Sequence, residues 1–347
     1  MKLIIDAMGG DNAPLEIVKG ALSGQKRWGV DVTLTGDTTA ILQALEACGE
    51  KTLPQGMEIV HTTETVEMCD DPATVFRRKK DTSMGVGLTM LRGGRADAMV
   101  SAGSTGALLT GATLLVKRVK GIRRAAMGPA MPNKAGGKTV IVDCGANAEC
   151  TPEFLLQFGL VGSVYAKKQL GIENPKVGLL NIGTEDSKGT ALQKEAYALL
   201  KNAGEKGLVN FVGNVEARDV PLGAVDVVVC DGFNGNVLLK TIEGTAMFMG
   251  SLMKRMFKKN LLSKLGYLLC ASGVKDLMKM LDYREIGGTP FLGIRKPVIK
   301  AHGASDVLAF RNAVKQAADV AASDITGELE ENLQRLAAEK EKVTEHD

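Results

Sequence analysis

Short apolar runs alternate along the chain with longer segments in which apolar residues recur every three or four positions. The first run, "KLIID", ends at Asp6, and a helical pattern follows over residues 14–28. The same alternation returns after "VDVTLTGD", "RADAMVSAGS", "GKTVIVDCGAN" and "KVGLLNIG". Apolar runs without polar alternation are typical of strands buried on both faces. Strands that alternate with helices predict an α/β fold with a doubly wound, mostly parallel sheet.

Six segments that follow the predicted strands combine glycine with small polar residues. They read "DAMGGDN", "SAGSTGA", "DCGANAE", "NIGTEDSKG", "DGFNGN" and "KAHGASD". The carboxyl ends of parallel strands meet at one edge of a sheet, where open α/β folds bind ligands. Glycine lets backbone N–H groups approach an oxyanion closely, and the N-terminus of a helix attracts negative charge. The pattern therefore predicts an anion pocket that collects all six loops.

Composition and missing motifs narrow the function. The P-loop pattern GxxxxGK[ST] is absent, and GxGxxG does not follow the first strand, which argues against ATP hydrolysis and standard NAD binding. A net charge of +3 and 4% aromatic residues do not suit nucleic-acid binding. Three histidines and six scattered cysteines lack metal-ligand spacing, so we expect neither metal nor disulfide, and no cofactor. Without a signal peptide or an apolar run of roughly 18 residues, we expect a cytoplasmic protein.

Residues 246–281 have a composition of their own, with six Met, seven Lys or Arg and one acid. Leucines recur there at helical spacing. Gly266 and Gly273 predict a break into two helices or a helix and a tip, which would form a protruding helical hairpin. A basic amphipathic segment is typical of a protruding helix on a membrane surface and of a core or dimer helix, and the two interpretations are compatible. The candidate membrane contacts are Leu261, Leu262, Leu265, Tyr267, Leu268 and Leu269. Residues 325–347 predict a charged C-terminal helix that frays at its end.

These motifs, with "GFNGNVLLKTIEG" and "GGTPFLGIRKPVIKAHGASD", make the chain resemble the acyl-ACP:phosphate acyltransferase (PlsX) family from Met1 to about Ala318. The resemblance implies transfer of a long-chain acyl group from acyl carrier protein to inorganic phosphate. The acyl phosphate would pass to a glycerol-3-phosphate acyltransferase in phospholipid synthesis. The resemblance also implies a single catalytic unit, residues 1–347, with a fold of the isopropylmalate-dehydrogenase and phosphotransacetylase type. Further expectations are a homodimer and peripheral association with the inner face of the cell membrane.

Two positions depart from the family pattern. Asn12 stands where many members have His, and Ser104 stands where Asn is common. The C-terminal tail is also longer than usual. We therefore assign residue 12 no role in proton transfer.

The chemistry of this reaction needs an anion held beside a thioester carbonyl and donors for the oxyanion that forms. Candidate catalytic residues are Lys188 as the cation, Asn236 as an amide donor, Asp6 as an orienting carboxylate and His302 beside the leaving sulfur. A surface lysine, a helix-capping Asn and a structural His are the competing interpretations. The candidate phosphate- and substrate-binding residues are Gly9, Gly10, Asp11, Asn12, Ser101, Gly103, Ser104, Thr105, Asn147, Gly183 and Gly235.

Several alternatives stay open at this point. Cys144 follows a predicted strand, but no neighbouring base favours it as a nucleophile. The basic run "KRVKGIRR" (residues 117–124) suits an acidic carrier protein, although a solvated surface is the simpler interpretation. Rival functions are a phosphotransacetylase-like enzyme that uses coenzyme A thioesters and a non-catalytic membrane-surface scaffold. A decarboxylating dehydrogenase would need a metal-binding Asp cluster and an adenine loop, and neither is evident.

Overall fold

The structure is a computed structural model that describes residues 1–280 and 282–344. Twelve strands are formed within these residues. They are β1 (Lys2–Asp6), β2 (Asp31–Gly36), β3 (Met57–His61), β4 (Ala98–Ser101), β5 (Ala126–Met127), β6 (Ala130–Pro132), β7 (Lys138–Val142), β8 (Lys176–Asn181), β9 (Asn210–Glu216), β10 (Val227–Val229), β11 (Thr289–Leu292) and β12 (Val298–Lys300).

Eleven α-helices connect or flank these strands in the described part of the chain. They are α1 (Leu15–Trp28), α2 (Thr38–Ala47), α3 (Val75–Arg78), α4 (Ser83–Arg92), α5 (Thr105–Gly111), α6 (Pro152–Leu170), α7 (Ala191–Glu205), α8 (Gly232–Lys258), α9 (Leu261–Met280), α10 (Val307–Ala322) and α11 (Ile325–Thr344). A π-helix over Ala112–Val116 continues α5, and short 3₁₀ turns lie at Ala217–Asp219 and Tyr283–Glu285.

The strands form two mostly parallel sheets. The seven-stranded sheet has the order β3-β2-β1-β4-β12-β11-β5, and the five-stranded sheet has the order β6-β7-β10-β8-β9. Only β11 and β6 run antiparallel to the strands beside them, among the pairings described. The predicted doubly wound α/β class is confirmed, with the parallel strands divided between two sheets. One buried cluster includes Val100 and Phe310 from the larger sheet's side and Val142 from the smaller sheet, so the two sheets share a core.

Strand register brings three polar residues into line at the carboxyl edge of the larger sheet. Ile5 is paired with Val100, which places Asp6 beside Ser101, and Ser101 is paired with Lys300. All three residues are less than 9% exposed. Buried polar side chains are costly without partners, and ligands bind at the carboxyl ends of parallel strands, so this row marks a candidate functional site.

Helix α1 packs closely against α10 because two glycines lie at the contact. A Cβ added to Gly20 would lie 2.8 Å from Phe310 Cβ and 3.2 Å from the backbone nitrogen of Arg311. A Cβ added to Gly24 would lie 2.8 Å from a methyl group of Val314. This close packing fixes the start of α1, and with it the loop over residues 7–14.

Helices α8 and α9 form an antiparallel hairpin. The rings of Phe257 and Tyr267 are 5.3 Å apart near its tip, and Gly250 faces Met278 near its base. The turn falls at Lys259 and Asn260, where Asn260 Oδ1 accepts a hydrogen bond from the backbone N–H of Ser263.

The break predicted at the two glycines of this segment is wrong. Helix α9 continues through Gly266 and Gly273, around which no other part of the chain crowds within 4 Å. Glycine costs a helix only about 1 kcal/mol per residue relative to alanine. The position of the turn is therefore set by the cap that Asn260 provides for the start of α9 at residue 261.

The five leucines predicted as membrane contacts are 56% to 84% exposed. Tyr267 is half-buried instead, because it packs against Phe257. Among the residues described, none of the helices combines the length and apolarity needed to cross a membrane.

The C-terminal helix α11 is docked on the body of the protein at its start. Leu329 and Leu333 are buried, and Glu328 pairs with Lys167 and Lys168 of α6 at 2.7 and 3.0 Å. The end of the predicted tail, residues 345–347, lies outside the described residues.

The glycine contact between α1 and α10 can be tested by Gly20→Ala. The backbone of residue 311 cannot give way easily, so we expect the free energy of unfolding to fall by about 1–3 kcal/mol. Urea unfolding followed by the fluorescence of Trp28, the only tryptophan, measures it. The matched control is Gly244→Ala in α8, where a Cβ meets nothing within 4 Å and stability should rise by up to about 1 kcal/mol. Equal effects of the two changes would contradict the packing argument.

Candidate active site

A cleft of about 570 Å³ opens between the carboxyl edges of the two sheets. One end is polar, and most of the remaining lining is apolar apart from Asn133, Lys134 and Glu243. The side chains and glycines that define the polar end are Thr105, Gly145, Asn236, Lys240, Lys300 and His302. The apolar wall includes Met127, Met131, Leu239, Ile242, Ala246 and Ile286. The volume lies within the range of roughly 300–1,000 Å³ that is typical of small-molecule sites.

Lys300 is the buried cation of the polar end. Its Nζ donates to the carbonyl oxygens of Ala102, at 3.1 Å, and Ala301. Burial lowers the pKa of this ammonium to about 8, against the opposing charges of Asp11 and Asp6, which raise it. At pH 7 the group is mostly protonated, so it offers a poorly hydrated positive charge at the edge of the cleft.

Asp6 is held by hydroxyl groups. The side chains of Ser83 and Ser101 each donate to it at 2.6 Å. Burial raises the pKa of this carboxyl, while the two hydroxyl donors and the charge of Lys300 oppose that shift. Of the partners expected for Asp6, which were Lys188, His302 or backbone N–H groups, the structure provides the backbone of Met8, together with Ser83, Ser101 and the field of Lys300.

The first loop approaches its neighbours too closely for side chains at two positions. A Cβ on Gly9 would lie 2.6 Å from the Asp6 carboxylate and 2.8 Å from the backbone nitrogen of Gly103. Gly10 has a positive φ of 111° and a Cβ there would lie 2.9 Å from Ala102 Cβ. The loop is therefore pressed against the "SAGSTGA" segment.

The first loop also contacts the segment after β12. The backbone N–H of Asp11 donates to the carbonyl oxygen of Gly303 at 2.9 Å, and Asn12 Nδ2 donates to that of Ser305 at 3.3 Å. Asn12 thus makes a structural contact in this chain.

His302 lies at the polar end of the cleft and is neutral at pH 7. Burial lowers the pKa of its imidazole, and the nearby charges of Lys240 and Lys300 lower it further. The backbone N–H of Ala304 donates to Nδ1 at 3.2 Å, which assigns the proton to Nε2. In this state the ring is a hydrogen-bond donor, and it is a weak source of protons.

The opposite edge of the cleft is organised by Asp143, which follows β7 and is fully buried. Its carboxylate accepts from the backbone N–H groups of Met127, Cys144, Ala146 and Asn147 at 2.6–3.1 Å. Burial raises the pKa of this carboxyl, and the backbone donors oppose the shift. Asp143 therefore ties the loop after β7 to the start of the cleft's apolar wall.

Asn147 and Gly235 complete this edge as structural residues. Asn147 Nδ2 donates to the carbonyl oxygen of Ala125 at 2.8 Å and to Asp143 at 3.0 Å. A Cβ on Gly235 would lie 1.9 Å from the Asp143 carbonyl oxygen, so only glycine fits. Of the two amides predicted as donors, Asn236 lines the cleft, where it faces Gly145, and Asn147 is bonded within the protein.

Ser104 and Thr105 lie where α5 begins. Ser104 is buried, and its hydroxyl accepts from the backbone N–H of Ala107 at 3.5 Å. Thr105 lines the cleft. The backbone N–H of Gly103 is bonded to the Ser101 hydroxyl at 3.1 Å. Ser101, Gly103 and Ser104 therefore shape the edge, and Thr105 reaches the space beside it.

Lys188 and Gly183 are placed elsewhere. Both belong to the loop after β8, two strands away from β7 in the smaller sheet, and neither lines the cleft. The Lys188 side chain is exposed, and its carbonyl oxygen accepts from Asn181 Nδ2 at 3.2 Å. Four of the six predicted loops thus line the cleft, the first loop packs against two of those four, and the "NIGTEDSKG" loop lies outside it.

Three cleft features were missed by reasoning from the sequence. Lys300 carried a signal, because it is a lone lysine at the end of the apolar run "PVIK". Asp143 could also have been found from the sequence, because it is an acidic residue directly after the apolar run "TVIV". The apolar wall had no such signal, because its residues come from three distant segments.

Comparisons with known proteins first define the class of fold. A phosphotransacetylase from Streptococcus pyogenes superposes with a TM-score of 0.63 over 93% of this chain and 94% of that one, at 17% identity. The fold is therefore of the phosphotransacetylase type, as predicted.

Sequence comparison then gives the family. Residues 1–327 match the family described as "Fatty acid synthesis protein". Proteins named phosphate acyltransferase from Thermoanaerobacterium thermosaccharolyticum and Alkaliphilus oremlandii are 45% and 47% identical, over 97% of this chain and 98% of theirs. The chain belongs to the phosphate acyltransferase (PlsX) family, and the prediction of an enzyme of this kind is confirmed.

Cys144 borders the cleft as a buried, protonated thiol, since burial and the charge of Asp143 raise its pKa to about 12. We expect iodoacetamide at pH 8 to modify exposed Cys69 and Cys270 in the folded protein well before Cys144. Mass spectrometry of timed samples measures the order, with urea-unfolded protein as the control in which all six react. Rapid labelling of Cys144, or loss of most activity in folded Cys144→Ala, would restore it as a candidate nucleophile.

Proposed function

We propose that this enzyme transfers a long-chain fatty acyl group from the thioester of acyl carrier protein to inorganic phosphate and releases acyl phosphate. One observation carries the proposal: a single cleft joins a cationic polar end to an apolar wall. Phosphate suits the polar end, and a hydrocarbon chain suits the wall. The family membership and the names of the relatives support the same reaction class.

Phosphate acts as the direct nucleophile in this proposal. It already carries negative charge near neutral pH, so no side-chain nucleophile is required. Among the described residues, two carbonyl oxygens accept hydrogen bonds from Lys300, which leaves the third N–H of the ammonium for an anion in the cleft. Lys240 also lines the cleft, but it is paired at 2.7 Å with Glu243, another lining residue, so Lys300 is the cation that the proposal relies on. The protein's task is then to hold phosphate in line with the thioester carbonyl.

Neutral hydrogen-bond donors would stabilise the negative charge that develops on the thioester carbonyl oxygen. The amide of Asn236 and the backbone beside Gly145 face the space in which the carbonyl oxygen would become an oxyanion. The neutral ring of His302 donates to the leaving sulfur, while solvent or phosphate supplies the final proton. Asp6 acts through Ser101 and Lys300, and it positions the cation.

Acyl carrier protein is the proposed donor because a basic surface adjoins the cleft. Lys117, Lys120, Arg123 and Arg124 are exposed in the loop that leads directly into β5, and β5 ends at the cleft residue Met127. Such a surface attracts an acidic partner, and the attraction weakens with salt. Coenzyme A thioesters are the alternative donors, and their few phosphate charges should give a weaker salt dependence than the surface of an acidic protein does.

The hairpin is the proposed membrane contact. Its tip carries the five exposed leucines, and Lys258, Lys259 and Lys264 lie beside them. Anionic headgroups attract each such cation by about 1 kcal/mol, and apolar burial adds roughly 25 cal/mol per Å². Binding would be peripheral and reversible at the inner face of the cell membrane, where a glycerol-3-phosphate acyltransferase would take the product. A homodimer would present two tips and add avidity.

The reaction is tested with purified protein, phosphate and palmitoyl carrier protein, by measuring free thiol and acyl phosphate. We expect both products in equal amounts, and we expect Lys300→Met to lose about 10²–10³-fold in turnover with the fold intact. The rate with limiting phosphate should fall as the pH rises above about 8, because Lys300 carries its charge only below its pKa.

Lys188→Met is the matched control, because it removes an exposed lysine that does not line the cleft. A larger loss for Lys188→Met than for Lys300→Met would move the phosphate site to the loop after β8. Equal rates with palmitoyl coenzyme A, unaffected by salt, would favour the phosphotransacetylase-like alternative. Absence of any thiol release would leave the scaffold interpretation.

Membrane contact is tested by co-sedimentation with anionic liposomes. Wild-type protein should pellet, and the Leu265→Glu, Leu268→Glu variant should stay in the supernatant, because charge at the tip opposes burial. The matched control, Leu42→Glu with Leu222→Glu, changes two exposed leucines outside the hairpin and should pellet like wild type. Equal pelleting of the tip variant would refute membrane contact, and conversion to a monomer would assign the tip to the dimer core.

A further inference from the structure

The cleft's apolar wall has a defined direction and length. On α8 the wall begins at Asn236, continues through Leu239 and Ile242, and reaches Ala246. The ten steps from Asn236 to Ala246 span about 15 Å at 1.5 Å per residue, and the paired side chains of Lys240 and Glu243 also line this stretch. The side chains decrease to alanine at the far position, which leaves space there.

A second segment runs from the polar end along the cleft. Thr289 is paired with Lys300 in the sheet, and the chain leads back from it through Gly288 and Gly287 to Ile286. A Cβ on Gly288 would lie 2.5 Å from a methyl group of Ile299, so the segment lies tightly on the sheet. Ile286 therefore faces the cleft from a fixed position.

The cleft has a neighbouring cavity. Ile286 and Pro132 also border a second cavity of about 320 Å³, and Asp276 and Lys279 of α9 line its other side. The two cavities thus adjoin at the base of the hairpin. Pro132 and Ile286 are therefore the residues that separate the cleft from this second cavity.

We propose that Ala246 and Ile286 form a gate that determines acyl-chain length, an inference that rests on the proposed function. An extended chain advances roughly 1.2 Å per bond, since three backbone bonds span about 3.6 Å. About a dozen carbons then reach from Asn236 to Ala246. A shorter chain ends inside the cleft, and a longer chain passes the gate and emerges at the base of the hairpin.

The test is Ala246→Phe, assayed with octanoyl and palmitoyl carrier protein. Octanoyl transfer should stay within about threefold of wild type, because that chain ends before the gate. Palmitoyl transfer should fall on the order of 10²-fold in kcat/KM, at about fourfold for each of some four methylenes displaced. Thr245→Phe is the matched control, because it adds the same ring to the exposed face of α8 and should keep the wild-type ratio.

Ile286→Trp narrows the gate from the other side. If Ala246→Phe fails to fold, the rates of palmitoyl and octanoyl transfer are compared in Ile286→Trp instead. Wild-type activity with an unchanged palmitoyl-to-octanoyl ratio in the folded gate variants overturns the gate and leaves the proposed function standing. Equal loss for both chain lengths also overturns it. Absence of transfer by the wild-type enzyme with either donor defeats the proposed function itself.

Discussion

The larger sheet buries two opposite charges at its carboxyl edge, Asp6 on β1 and Lys300 on β12, with β4 between them. A carboxylate and an ammonium in a dry interior are tolerated only when hydrogen bonds and opposite charge replace water. Ser83 and Ser101 do this for Asp6, and two backbone carbonyls do it for Lys300. Because these partners come from β1, α4, β4 and β12, the charge pair fixes four segments relative to one another.

The smaller sheet buries the carboxylate of Asp143 at its carboxyl edge, with no buried cation beside it in the described part of the chain. Asp143 is satisfied almost entirely by backbone N–H groups, which draws the loop after β7 into a tight turn around it. Its carbonyl oxygen leaves no room for a side chain at Gly235, so α8 starts in contact with that turn. The cleft thus has a hydrogen-bonded edge on each side, and the space between is lined by apolar side chains such as Met127, Leu239 and Ile242.

The fold class follows from the order of apolar runs, because strands buried on both faces and amphipathic helices have distinct periods. The division into two sheets does not follow, since pairing partners such as β4 and β12 lie far apart in the chain. For the site, glycine after a strand predicted where loops converge. The glycine pattern could not show that Lys300 is buried at the site and Lys188 is exposed outside it. Whether a lysine is buried depends on which distant segments pack over it. The hairpin turn was misplaced because a capping Asn outweighs glycine in an exposed helix.

Helix α8 belongs to both the active-site edge and the hairpin, and it runs unbroken for 27 residues, about 40 Å. The chemistry and the hairpin tip are therefore parts of one rigid rod, whose length sets the height of the cleft above any surface on which the tip rests. Each inserted or deleted residue would also turn the tip by about 100° around the rod. Evolution of this segment is thus restricted to changes in side chains or to steps close to whole helical turns.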